Sequence, residues 1–354
     1  MIIAFEINFH QNSDSLIQEF NLKLFSHFSR QYPNHKFILI SNKSTHQELC
    51  NLPNQTFIKS ISWGLNFINA YLNRLLLFKK HKIDILISDG IYNLNKFKHV
   101  KQFHWLNDLK SFKKIETFSK NSYFFCVNEY LISLVEENKV DLKKQATAIT
   151  PFIEIPQSIK TIENEKKTKE KFSNNKEYFL YNIDPSCNKD EIITIIKAFS
   201  HFKKWQKSNM QFVLLIHHKN EEKVKKLIES FKFKDDVTII CENNNTIFFE
   251  LLSSAYGCII KNKSIALTEK MFAAIQMNIP VILDENEFYK SSFGEACIYS
   301  EMNDLKLSQK LILLYKDEEY REEVIAQTKI FTNKLNWDNV TNQIWSLISA
   351  EDKN

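Results

Sequence analysis

Short apolar runs rich in β-branched and aromatic residues recur along the chain. Each is followed by a segment whose apolar residues repeat every three or four positions. Residues 2–7 (Ile-Ile-Ala-Phe-Glu-Ile) form the first run, and such a run predicts a buried strand. From Ser15 to Tyr32 the apolar side chains stand at Leu16, Ile17, Phe20, Leu24, Phe25 and Phe28, the spacing of one helix face. Pro33 closes that helix. Further strands are predicted at 36–40, 57–61, 83–88, 100–104, 123–127 and 146–149, with a long helix over 63–80. Residues 154–177 break the alternation with Pro156, a Lys/Glu-rich run from Lys160 to Lys171 and Ser173-Asn174-Asn175. This stretch predicts a linker and a solvated helix.

The alternation then restarts. Strands are predicted at 178–183, 212–216, 237–241, 257–260 and 280–283. Helices are predicted at 190–207, 221–231, 246–255, 268–277, 305–315 and 319–335, with 340–348 closing the chain. Alternating strands and helices build a parallel sheet covered on both faces. Two such series predict an α/β protein of two Rossmann-like, doubly wound domains facing a cleft. The boundaries fall at 1–156 for the first domain, 157–177 for the linker, 178–335 for the second domain and 336–354 for a C-terminal helix packing back toward the first. In open α/β sheets ligands lie beyond the carboxyl ends of the strands, and a cleft between two such domains is the default site.

Composition narrows the function. The 354 residues suit two domains, each able to bury its own core. The net charge of +5 comes from interleaved charges, 47 basic against 42 acidic, which does not make a nucleic-acid-binding face. Only 4 residues are glycine, against an ordinary share of about 7%. AT-rich coding would produce this, and so would loss of Gly-rich phosphate loops. Four glycines build no Walker loop and no G-x-G-x-x-G turn, which disfavours a dinucleotide oxidoreductase. The six cysteines are scattered singly with no C-x-x-C pair, as in a reducing compartment. His217-His218 has no carboxylate or cysteine at ligand spacing in the sequence, so no metal is expected. Residues 1–9 lack the basic start and cleavage site of a signal peptide, and no apolar stretch reaches about 18 residues. A cytoplasmic location is expected. The apolar segment from Leu65 to Phe78 is broken by Asn66, Asn69, Asn73 and Arg74; it faces the core, a partner or a membrane surface, core being favoured.

Five segments in order carry a family likeness. They are EYFLYNIDPSCNKDEIITIIKAFSHF (177–202), DDVTII (235–240), ELLSSAYGCI (250–259), EKMFAAIQMNIPVIL (269–283) and LLYKDEEYREEVIAQTKIFTNKLNWDNVTNQIW (313–345). In the first half, residues 1–9, KHKIDILIS and FCVNEYL sit at matching places. Together these resemble the group 1 (family 4) glycosyltransferases of bacterial polysaccharide assembly, which have the GT-B architecture. The resemblance implies retaining transfer, of the hexosyltransferase type, from a nucleotide-sugar held on the second domain to a glycan or lipid-linked acceptor on the first. The donor is then a substrate, no cofactor or bound metal is implied, and peripheral contact at the inner face of the membrane is compatible.

The catalytic signature of that family has eroded here. Where the family has Pro-Arg-Lys-Asn after the first strand of its second domain, this chain has Pro185-Ser186-Cys187-Asn188. Cations are needed there because charge grows on the leaving diphosphate. Lys189 is the nearest substitute, or else a solvated lysine at a helix start. Counting back from Pro280, the two family glutamates fall at Ile265 and Ala273, so both carboxylates are gone. Glu269 and Lys270 lie between them at a helix start, where a lysine reaches a phosphate or is merely exposed. His104 aligns with the family's His-Asp, as a catalytic candidate or a structural histidine. Glu129 matches another favoured position, and a helix-start carboxylate explains it equally well. Asn12-Ser13-Asp14 replaces the family's first Gly-rich loop. The candidates are therefore His104 for catalysis and Asn188, Lys189, Glu269 and Lys270 for the donor. A catalytically silent protein binding a sugar or a partner is the alternative. A sugar-nucleotide epimerase or phosphorylase ranks last.

Overall fold

The computed structural model describes residues 1–8, 16–59, 76–89, 99–109, 122–137, 145–155, 159, 161–184, 186–242, 245–262 and 264–350. The chain divides into two compact units. One comprises Met1–Ile153, Ala266–Thr268 and Leu335–Asn354, the other Glu154–Ile265 and Glu269–Lys334.

The first unit is built on strands β1 (Ile2–Ile7), β2 (Lys36–Ser41), β3 (Gln55–Lys59), β4 (Ile85–Ser88), β5 (Lys101–Leu106), β6 (Ser122–Cys126) and β7 (Ala146–Ala148). Every pairing is parallel and the spatial order is β3-β2-β1-β4-β5-β6-β7. The central strand β1 buries five successive residues from Ile3 to Ile7, because helices cover both faces of a parallel sheet. Helix α1 (Leu16–Gln31) lays Phe25 and Phe28 edge-on against Phe5, with ring centroids 5.6 and 6.1 Å apart. Helix α2 (Glu129–Glu137) follows β6, and the Asn128 side chain accepts from the Leu131 N–H at 3.0 Å. The predicted helix over 63–80, Asn12-Ser13-Asp14 and most of the 65–78 segment lie outside the described residues; 76–81 are helical.

The second unit repeats the plan. Helix α3 (Ile162–Ser173) precedes β8 (Tyr178–Asn182), α4 (Lys189–Gln206), β9 (Gln211–Ile216), α5 (Glu221–Glu229), β10 (Val237–Cys241), α6 (Asn245–Ser253) and β11 (Gly257–Ile259). Then come α7 (Glu269–Gln276), β12 (Val281–Asp284), α8 (Glu287–Phe293), β13 (Ile298–Ser300), α9 (Asp304–Lys316) and α10 (Glu318–Lys334). The strands are parallel in the order β10-β9-β8-β11-β12-β13. One apolar cluster runs from Phe179 and Tyr181 through Ile192, Ile195, Phe199 and Phe202 to Leu307, Leu311 and Leu314. Helix α8 and strand β13 were not foreseen: the strand is three residues long at the sheet edge, too short for a period-2 pattern.

Asparagine takes over the work of the scarce glycines. It N-caps α4, α8 and α9 at Asn188, Asn286 and Asn303, each accepting a backbone N–H through its side chain. It also adopts the left-handed backbone at Asn174, Asn175 and Asn278, with φ between 52° and 58°, as Lys207 does at 49°. Asn278 occupies the glycine of the Gly-x-Pro-Val-Ile segment in the resembled family, and its conformation is one glycine favours.

The last helix, α11 (Trp337–Ser349), belongs to the first unit. Trp337 stacks on Phe20 and His27, with centroids 5.0 and 4.7 Å apart, and Trp345 lies flat on Tyr32 at 3.5 Å. Thr341, Ile344 and Ile348 complete the buried stripe. Aromatic pairs of this kind add about 0.5–1.5 kcal/mol each beyond the area they bury. Trp337→Ala is therefore expected to destabilise the first unit by about 2–3 kcal/mol. Hydrogen exchange checks this: protection should fall in α1 and β1 and stay unchanged in β8 and β9.

Candidate functional site

A doubly wound sheet opens at the point where successive connections leave in opposite directions. In the second unit that point lies between β8 and β11, and in the first between β1 and β4. Candidate residues collect at the carboxyl ends of these four strands.

After β8 the chain turns back through an Asp184 cap. Its carboxylate accepts from the Ser186 N–H at 2.7 Å and the Ser186 hydroxyl at 2.5 Å. Asn188 then opens α4 with a capping box: its side chain accepts from the Glu191 N–H at 2.9 Å, and Glu191 accepts from the Asn188 N–H at 2.9 Å. Lys189 is the exposed first residue of that helix. Two residues beyond β11 stands Lys261, whose ammonium lies 3.4 Å from the Glu191 carboxylate. Lys223 reaches over from α5 to the Cys187 carbonyl at 3.3 Å. Burial works against ionisation of Glu191, but the Asn188 N–H, the Cys187 thiol and Lys261 outweigh it and hold the carboxyl below its ordinary range. Asp284, at the end of β12, is pushed up by burial and only partly restored by Lys261. This edge thus holds three lysines, Lys189, Lys223 and Lys261, and a helix N-terminus among several carboxylates.

Glu269 and Lys270 open α7, the helix that follows β11. Glu269 is buried, and the Lys270 ammonium lies 5.5 Å from the centre of the Phe248 ring. Ala273 is enclosed in the core on the same helix, while Ile265 is half-buried. The structure therefore brings the four donor candidates to the starts of the two helices that follow β8 and β11. Lys261 had not been singled out. In sequence it is one lysine in an ordinary loop, and only the strand order carries it to the switch point.

In the first unit, Glu6 is buried near the end of β1 and Asp89 directly follows β4. One Asp89 oxygen accepts from the Asn8 N–H at 2.9 Å and from the Gln18 amide at 3.0 Å. Among the described residues its other oxygen is buried without a hydrogen-bond partner. Burial, partly opposed by the Asn8 N–H and reinforced by the nearby Glu6 charge, pushes the Asp89 carboxyl up to about 7. The sequence signal for this pair was a glutamate inside an otherwise apolar strand. His104 lies on β5, in register with Ser88 of β4 and Phe124 of β6. It is fully buried, its ring 6.0 Å from that of Phe124.

Two doubly wound parallel sheets joined in this way make the GT-B fold, and comparison with solved structures agrees. A glycosyltransferase from Rickettsia africae ESF-5 superposes with a TM-score of 0.75 at 17% identity, covering 98% of each chain. WaaG, a glycosyltransferase involved in lipopolysaccharide biosynthesis, gives 0.70 at 12% identity over 99% of this chain and 100% of its own. Anabaena HepE in complex with UDP and glucose gives 0.69 at 10% identity over 99% of each. No protein-family model and no curated protein sequence matches the chain.

Asp89 yields a pH prediction. Its carboxyl holds a proton to higher pH when folded than when unfolded, so protonation favours the folded state. The contribution is complete near pH 4 and is lost as pH rises through about 7. Thermal melts across that window should show the wild type losing stability relative to Asp89→Asn. A constant difference between the two proteins would mean the carboxyl titrates normally.

Proposed function

We propose that this protein is a divergent glycosyltransferase that moves a sugar from a nucleotide-sugar to a glycan or lipid-linked acceptor in polysaccharide or cell-envelope synthesis. The observation that carries the reading is Lys261, an ammonium held at the switch point of the second unit beside the start of α4. The family's two cations are missing from the β8–α4 turn, and Lys261 supplies one from the neighbouring strand. Charge growing on a leaving diphosphate would be met there by Lys261, with Lys189 and Lys270 at the two helix starts. Asn188 caps the start of α4, and Glu269 stands at the first position of α7. On the first unit, Asp89 offers a buried acceptor oxygen to a sugar hydroxyl, and His104 supports the strand beside it. Transfer would be of the retaining, hexosyltransferase type, with no cofactor. Among the described residues no helix is long and apolar enough to cross a membrane, which fits a cytoplasmic protein meeting its acceptor peripherally at the inner face of the membrane.

The capping box favours a second reading. Glu191 spends its carboxylate on the Asn188 N–H and on Lys261, the groups a diphosphate would use. A protein retaining the fold but binding a sugar or a partner without turnover fits that arrangement.

Calorimetric titration with UDP, GDP, ADP, CMP and their sugars separates the readings. The transferase reading expects saturable binding of one nucleotide, weakened about tenfold or more in Lys261→Met, an energy of about 1.4 kcal/mol. Absence of binding to every nucleotide at millimolar concentration would leave the silent scaffold.

A further inference from the structure

Away from both switch points, three side chains of metal-binding type converge in the second unit. They are His218, in the turn after β9; Glu221, the first residue of α5; and Cys241, the last residue of β10. Their ligand atoms all lie within 4.8 Å of one another. His218 Nδ1 is 2.8 Å from Cys241 Sγ and 3.8 Å from Glu221 Oε2. Zinc bound at about 2.0–2.3 Å per ligand sets neighbouring ligand atoms about 3.3–3.7 Å apart. Small side-chain rotations therefore suffice to seat an ion.

The surroundings divide the polar groups accordingly. Glu221 Oε1 is held by Lys225 at 2.6 Å, which fixes the carboxylate and leaves Oε2 turned toward His218. His217 is occupied otherwise: its Nδ1 accepts from the Lys219 N–H at 3.2 Å. The adjacent His217-His218 pair thus splits into a cap and a ligand. Glu242, next in sequence to Cys241, adds negative charge beside the thiol.

We propose that His218, Glu221 and Cys241 form a binding site for a borderline-soft divalent cation of the zinc type, with water in the fourth position. A thiolate, an imidazole and a carboxylate select such an ion over magnesium or calcium. On binding, the Cys241 S–H bond breaks, the S–metal bond forms and the proton leaves to solvent. The half-exposed position makes the ion exchangeable and ties the β9–α5 turn to the end of β10. The site is independent of the sugar-transfer reading.

The test is a titration of tag-free protein with Co2+, whose thiolate bonds give near-ultraviolet charge-transfer absorption. We expect one equivalent to bind with that absorption and to be displaced by Zn2+. Cys241→Ser should abolish the band, and His218→Ala and Glu221→Gln should each weaken binding more than about tenfold, since even loss of a group orienting a ligand costs about that. Cys50→Ser, altering the other partly exposed cysteine, should leave the spectrum intact. Absence of a thiolate band at one equivalent, or its survival in Cys241→Ser, would overturn the assignment.

Discussion

Burial of the central strands on both faces is the constraint from which the rest follows. Phe5 and Ile7 on β1, and Phe179, Leu180 and Tyr181 on β8, have almost no exposed surface. A strand so enclosed must satisfy its backbone through neighbours and cover its side chains with helices above and below. Most polar side chains are thereby displaced to the sheet's carboxyl edge, with Glu6 on β1 and His104 on β5 among those buried within the sheet. The opposed connections part the covering helices at one place in each sheet, and Lys261, Glu191, Asp89 and Glu6 stand there.

Periodicity made the architecture legible. The alternation of β-branched runs with helical stripes marked out both sheets, and predicted strands such as 2–7 and 237–241 coincide with β1 and β10. What escaped it has a physical cause. Strand β3 begins two residues earlier than its apolar run suggested, because its pairing with β2 sets the register, Phe37 facing Gln55, while residues 60 and 61 of that run lie outside the described residues. Placement of candidate residues was legible only where it is local. The position of Asn188 and Lys189 at a helix start could be read from the turn that precedes them. Lys261, Asp89 and the His218–Cys241 pair depend on which strands become neighbours, and strand order leaves no mark on residue spacing.

The carboxyl edge after β8 shows how the start of a helix is satisfied where the resembled glycosyltransferases carry two cations. It is a polar edge and not a hydrophobic patch. Asn188 and Glu191 cap α4 reciprocally, Lys261 pairs with Glu191, and Asp184 fastens the turn. A helix N-terminus stabilises negative charge from whatever source, and here a side chain of the same helix supplies it. The same contacts that keep the edge folded would compete with an incoming diphosphate.

The left-handed asparagines bear on how the chain came to its composition. Replacing glycine by another residue shrinks the unfolded ensemble and gains about 0.4–1 kcal/mol, while the left-handed backbone costs a side-chain-bearing residue about 1–2 kcal/mol. Asparagine offsets part of that cost with local hydrogen bonds. The two effects nearly cancel at Asn174, Asn175 and Asn278. Asparagine can therefore hold such helix ends in the left-handed conformation at little cost in stability. A chain with only 4 glycines thus keeps the backbone geometry that its helix ends require.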